Sequence, residues 1–253
     1  MLLNFENERT MKKSLLFLFV SFFYTVSAQN AIRIWDYPYK PGSEKWKSLK
    51  SHQEMVNICQ IPEDVIHKLT TEELVKICLD YPLFFTLTAF NNMQEGFEQN
   101  KREFNGFLEL FGRNDAGKEL LKLYSEISPG EVMSKKSDLD KGNFKFRIFY
   151  LEILLAQNDL LSALSKEEQR VLLSECLDKT IEKNDATYSN FQIQTTYLIM
   201  ARILLLNQFN EFLDKYRLNQ SNYDWFIYSI KLTGSSLIKE IETTTRNYLS
   251  KTI

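Results

Sequence analysis

The stretch FQIQTTYLIMARILLLNQF, residues 191–209, decides the architecture. It contains neither Gly nor Pro, is apolar on nearly every side and is longer than an ordinary strand. A helix that is apolar all round lies inside a protein rather than on its surface. FKFRIFYLEILLAQ, residues 144–157, has the same character. The two segments predict two central helices around which the rest of the chain packs.

Outward from this pair the signals are helical. Ser51–Glu54, Thr70–Glu73 and Ser165–Glu168 have the spacing of capping boxes and open helices reaching Cys59, Asp80 and Lys183. Pro62 suits the first turn of a short helix ending at Leu69, and Tyr81-Pro82 stops the helix over 71–80. Residues 83–111 read as one or two helices, and Asn114 caps DAGKELLKLYSEI, which ends before Pro129. Shorter helices follow over 210–217, 222–232 and 235–250. The 8 Gly and 5 Pro are too few for a turn-rich β-protein, and no segment alternates as a strand would. The expectation is an all-α fold of about ten short-to-medium helices stacked as irregular helical hairpins, solenoid-like or as a compact bundle. The signatures of tetratricopeptide and ankyrin arrays are absent.

Two segments interrupt this pattern. QNAIRIWDYPYKPG, residues 29–42, is predicted to be an extended arm because Pro38 and Pro41 forbid a helix. Its Trp35, Tyr37 and Tyr39 predict that it packs along the body. SPGEVMSKKSDLDKGN, residues 128–143, is polar, carries Gly130 and Gly142, and reads as a loop. It is the candidate sub-domain boundary within a single helical domain over 43–253.

MKKSLLFLFVSFFYTVSAQN begins at Met11 with two lysines, continues with an apolar run and ends in the small residues Val26-Ser27-Ala28. This is the design of a secretory signal peptide cleaved before Gln29. MLLNFENERT fits no such design, so Met11 is the expected start. No Cys follows the cleavage site to take a lipid, and no transmembrane segment is expected in the mature chain. The whole chain has 31 basic and 33 acidic residues; removing Arg9, Lys12, Lys13, Glu6 and Glu8 leaves 28 and 31, a net charge of −3. Without a basic stripe a nucleic-acid partner is not expected.

Export implies an oxidising compartment. If the helices over 62–69 and 71–80 fold back on each other, Cys78 comes beside Cys59. A Cys59–Cys78 disulfide is the favoured expectation, and closing such a loop stabilises by about 3 kcal/mol. Two buried free thiols are the alternative. A metal site is disfavoured, because the chain has only 2 His and no CxxC or HxxxH spacing. Cys176, in RVLLSECLDKTI, is expected in the core.

Trp46, CQIPEDV, LTTEELVKICLDYPL, FNNMQEGF and FNGFLELFGR together resemble a group of uncharacterised secreted all-helical proteins of Bacteroidetes, over residues 46–124. The resemblance implies export and paired cysteines. It implies no reaction.

No phosphate-binding, dinucleotide-binding or zinc-protease motif occurs, so no cofactor, metal ligand or catalytic residue is assigned. His52 and His67 read as surface residues. Between Tyr81 and Arg113, Gly96, Gly106 and Gly112 fall among Phe and amide side chains. Glycine costs about 1 kcal/mol in a helix, so close packing or a ligand should compensate. Asn92, Glu95, Phe97 and Asn105 are the candidate binding residues; helix caps in tightly crossed helices are the alternative. Glu152 in YLEILL and Arg202 in LIMARILLL are charges among apolar neighbours, and the expectation is a buried ion pair between the central helices.

The function expected is that of an exported binding or scaffold module whose partner is another exported or envelope protein. The alternative is an enzyme of unrecognised type using the carboxylates Glu95, Glu98, Glu103 and Glu109. A deep pocket with converging Glu and Asn would favour the enzyme, and a shallow aromatic groove the binding module. The export reading predicts that protein recovered from the cell envelope or medium has an intact mass starting at Gln29; retention of residues 11–28 would exclude it.

Overall fold

Polar caps set where the helices begin. The side chains of Ser51, Thr70, Ser165 and Ser189 accept hydrogen bonds from the amides of Glu54, Glu73, Glu168 and Gln192. At the last three the capping box is reciprocal, satisfying two otherwise orphaned donors at each helix start. The structure, a computed structural model, describes residues 35–231 and 233–251. The predicted signal peptide and residues 29–34 of the arm lie outside the described residues.

The first half contains α1 (Glu44–Lys47), α2 (His52–Ile58), α3 (Glu63–Ile66), α4 (Thr71–Leu79), a 3₁₀ segment η1 (Phe84–Ala89), α5 (Met93–Glu103), α6 (Asn105–Gly112) and α7 (Ala116–Glu126). A second 3₁₀ segment, η2 (Pro129–Ser134), leads into α8 (Asp138–Leu155), α9 (Asn158–Ser162), α10 (Lys166–Asp185), α11 (Asn190–Leu206), α12 (Asn210–Leu218), α13 (Gln220–Ser229) and α14 (Ser235–Ser250). The fold is all-α, and the described residues contain no strand. None of these helices is long and apolar enough to cross a membrane.

The two segments read as central helices are α8 and α11, and they pack against each other. Helix α11 also meets α9, α10, α12, α13 and α14, while α8 meets α4, α7 and η2. Helix α5 packs on α13, far along the chain, so the helices close into a bundle rather than a one-dimensional array. The main core is continuous from Tyr37 to Ile241. Tyr37 anchors the arm: its hydroxyl donates to the carbonyl of Ile77 at 2.8 Å and its ring lies 6.1 Å from that of Phe104.

Several boundaries differ from the sequence reading. Residues 128–143 are not a single loop. Pro129 starts η2, and the Ser137 hydroxyl accepts from the amide of Asp140, so α8 begins six residues before Phe144. Asn114 does not cap α7; Asp115 occupies that position. Helix α13 stops at Ser229 because Ile230 adopts a left-handed conformation, φ 50°.

Glu152 does not pair with Arg202. Its fully buried carboxylate meets Lys183 Nζ at 2.6 Å. Tyr124 Oη and Thr196 Oγ1 each donate to its Oε1 at 2.8 Å, and Thr195 Oγ1 donates to Oε2. The Lys183 ammonium also donates to the Gln192 carbonyl and to Thr196 Oγ1. Burial pushes the Lys183 pKa down, and Glu152 opposes that shift. Arg202, 5% exposed, bonds neutral oxygens instead: Nη1 donates to Ala156 O, Nε and Nη2 to Ile227 O, and Nη2 to Gln94 Oε1. Ala156 caps the C-terminus of α8 and Ile227 lies in the last turn of α13. A cation is favourable there because the terminal carbonyls lack helical donors and carry partial negative charge. Burial lowers the Arg202 pKa to about 10, leaving it charged at neutral pH.

The predicted Cys59–Cys78 disulfide is also absent. Cys59, Cys78 and Cys176 are free, and all three lie in the main core. They pack as small apolar side chains among rings and aliphatic groups. Burial pushes the Cys59 thiol up to about 12 and those of Cys78 and Cys176 well above the ordinary range.

Two measurements check this core. Removing one partner of a hydrogen-bonded buried pair costs about 3–5 kcal/mol, so Glu152→Leu and Lys183→Met should each lower the unfolding free energy by that much. The double variant should lose less than the sum in urea denaturation; additive losses would show that the two groups are not coupled. Thiol titration at neutral pH should find all three cysteines unreactive in the native protein and all three reactive after unfolding without reductant.

Candidate binding groove

Helix α4 ends at Leu79 because Pro82 disfavours helical conformation at Tyr81. Its capping residue, Asp80, forms an ion pair with Arg147 of α8. The chain then turns through η1, whose roughly threefold repeat points successive side chains in different directions. Phe84 goes inward and is buried, while Phe85 points outward and is 56% exposed.

Helix α8 supplies the facing wall. Its last residues, from Ile148 to Leu155, are buried except for the half-buried Tyr150; from Asp138 to Arg147 none is buried. The first ten residues, about 15 Å of helix, pack on η2 along one side, with Phe144 against Val132 and Tyr188, and leave the other side in solvent. Leu139, Asn143, Phe146 and Tyr150 fall on one face of α8 by helical spacing. Leu139 is 72% and Phe146 45% exposed. Tyr150 stacks on the buried Phe84 with centroids 4.3 Å apart and an interplanar angle of 15°. Burial pushes its phenol up to about 12, so it remains neutral at physiological pH.

Between these walls lies a solvent-open groove of about 960 Å³, lined by Phe85, Phe144, Phe146 and Tyr150 with Asp80 and Arg147. Its rim at the end of η2 carries Lys135 and Lys136. Lys135 Nζ sits 4.5 Å from the Phe144 ring centre and 3.9 Å from Glu131. Lys136 is exposed and makes no ion pair among the described residues. Exposed rings beside charged edges can bury apolar area and orient a partner at once.

The four candidate binding residues do not assemble into such a surface. Asn92 is the N-cap of α5 and accepts from the amide of Glu95 at 2.8 Å. Glu95 itself is exposed. Phe97 is fully buried, its ring 5.8 Å from Phe107 and 5.9 Å from Phe111. Asn105 accepts from the Ile61 amide and donates to the Ile61 carbonyl, tying α6 to the loop before α3. Gly96 and Gly117 serve close packing, since a Cβ on Gly96 would lie 2.3 Å from Leu87 O and one on Gly117 2.7 Å from Leu160 O, whereas a Cβ on Gly112 would meet nothing within 4 Å.

The carboxylates of the alternative reading also have separate partners. Glu98 accepts from Gln94, Glu103 from Gln99 and His52, and Glu109 pairs with Arg113 and lies 3.9 Å from His67. No group of three or more His, Cys, Asp or Glu placed to hold a metal occurs among the described residues.

The sequence reading of residues 144–157 as apolar all round misses Phe146 and the half-buried Tyr150 as groove groups, while Lys135 and Lys136 do lie in a loop, between η2 and α8. The signal was present in Ser137-x-x-Asp140, which places a helix start ahead of Leu139. Comparison of the chain with family models, curated proteins and solved structures finds no match.

Proposed function

We propose that this chain is an exported binding module and that the groove between η1 and the N-terminal half of α8 takes a polypeptide segment of another exported or envelope protein. The observation that carries this reading is the exposure of Phe146 on α8 and Phe85 on η1 around one groove. Soluble proteins seldom expose neighbouring aromatic side chains around a concavity without a partner. The basic pattern, apolar run and small residues of 11–28 support export.

The groove also suggests the kind of segment. Phe85, Phe146 and Tyr150 offer ring faces and edges to an apolar or aromatic anchor. Lys135 and Lys136 offer ammonium groups to an acidic residue near that anchor. Asp80 and Arg147, which pair with each other, also line the groove.

Selection from a displayed peptide library should enrich segments combining an aromatic residue with Asp or Glu. Binding of a selected peptide should weaken by about tenfold or more in the Phe85→Ala, Phe146→Ala double variant, the loss typical of central interface aromatics. The melting temperature should remain nearly unchanged because both rings are exposed. Affinity should also fall with added salt through Lys135 and Lys136. Enriched peptides that bind the double variant as well as the parent would refute the proposed groove.

A further inference from the structure

We propose that a second cavity, at the junction of α5, α9, α11 and α13, binds a free α-amino acid, with its carboxylate on Arg202 and its ammonium group on Glu98. The cavity holds about 250 Å³, enough for a molecule of that size, and is lined by Gln94, Glu98, Lys101, Gln157, Arg202 and Tyr228 among others.

Two charged groups on this cavity, Arg202 and Glu98, have no counter-ion among the described residues. Arg202 is nine-tenths buried and has no carboxylate within ion-pair distance among the described residues. A guanidinium has five N–H groups. Those of Arg202 make two bonds to Ile227 O, one to Ala156 O and one to Gln94 Oε1, leaving one hydrogen on Nη1. The three oxygens that accept these four bonds are neutral. Glu98 likewise has no cationic partner within ion-pair distance; its Oε1 accepts from Gln94 Nε2 at 2.9 Å and its Oε2 has no hydrogen bond among the described residues.

Gln94 joins and separates these groups. Its Oε1 accepts from Arg202 Nη2 at 2.9 Å, while its Nε2 donates to Glu98 Oε1 and to Gln157 Oε1, each at 2.9 Å. Both amide hydrogens are thereby used, and the amide is fixed in orientation. The cation and anion are held one amide apart, and both line the same cavity. An α-amino acid carries a carboxylate and an ammonium group on one carbon, so a single ligand can complete both charges. Charge-assisted hydrogen bonds in a partly desolvated site are stronger than neutral ones. The remaining positive group on the wall is already engaged: Lys101 Nζ pairs with Asp159 at 3.1 Å and lies 3.8 Å from the Phe111 ring centre. The half-exposed Tyr228 ring leaves an apolar surface for the ligand's side chain.

The test uses the purified full chain and the twenty common L-amino acids as probes in thermal-shift and calorimetric titrations. At least one should raise the melting temperature, since a ligand that binds the native state alone stabilises it. Its N-acetyl derivative, which keeps only the carboxylate, and its amide, which keeps only the ammonium group, should each bind about tenfold or more weakly. Glu98→Gln should weaken binding to a similar extent with its unliganded melting temperature retained. No response to any amino acid, equal binding of either derivative, or unchanged affinity in Glu98→Gln would each overturn the proposal. The derivative comparison is made on the unsubstituted protein and needs no variant to fold.

Discussion

Four helices meet at one carboxylate. Glu152 on α8 collects Tyr124 from α7, Lys183 from α10 and Thr195 and Thr196 from α11, with no exposure to solvent. Apolar packing alone tolerates small slips of one helix against another, since dispersion is weakly directional. A carboxylate whose two oxygens and cationic partner all need specific donors tolerates much less. The network selects the register in which α7, α8, α10 and α11 stack, and the outer helices pack on that frame.

Arg202 performs the complementary task at the edge of the frame. By donating to Ala156 O and Ile227 O it joins the C-termini of α8 and α13. Two buried charges thus have different solutions. One has a counter-ion and hydroxyl donors, while the other has the partial charges of helix ends. Sequence separation does not distinguish them, because both sit in runs of Leu and Ile. Lys183 is the partner that pattern reading passes over. It lies near the end of α10, a helix with a mixed polar sequence, where a Lys reads as a solvated C-terminal residue.

What the sequence revealed was local. Ser or Thr three positions before Glu fixed the starts of α2, α4 and α10, because the donors they satisfy belong to the same turn. The two runs over 144–157 and 191–209 identified the centre, because a helix without a polar face must be surrounded. Partners across the bundle were not legible. The cysteines are close in sequence and both buried, yet burial says nothing about whether two thiols face each other. The amides of Asn92 and Asn105 looked like ligand groups because a side chain that caps its own or a neighbouring segment uses the same chemistry as one that greets a ligand. The groove was hidden for the opposite reason: Gly142 and the lysines made 128–143 look like a boundary, although a helix capped at Ser137 passes through the later part of it.

Helix α8 is one continuous element in two environments, and that division sets a gradient of protection along a single hydrogen-bonded rod. Between Ile148 and Leu155 its amides open only when the four-helix frame opens, so their exchange with deuterium tracks global unfolding. From Asp138 to Arg147 no side chain is buried and half are exposed, so opening there costs less than in the core half. The end that bears the exposed rings can therefore open locally, on the microsecond-to-second scale of local unfolding, while the other end keeps its native hydrogen bonds for as long as the fold survives. An exchange profile with a step near Arg147, rather than a smooth rise towards the middle of the helix, is the kinetic signature of this arrangement.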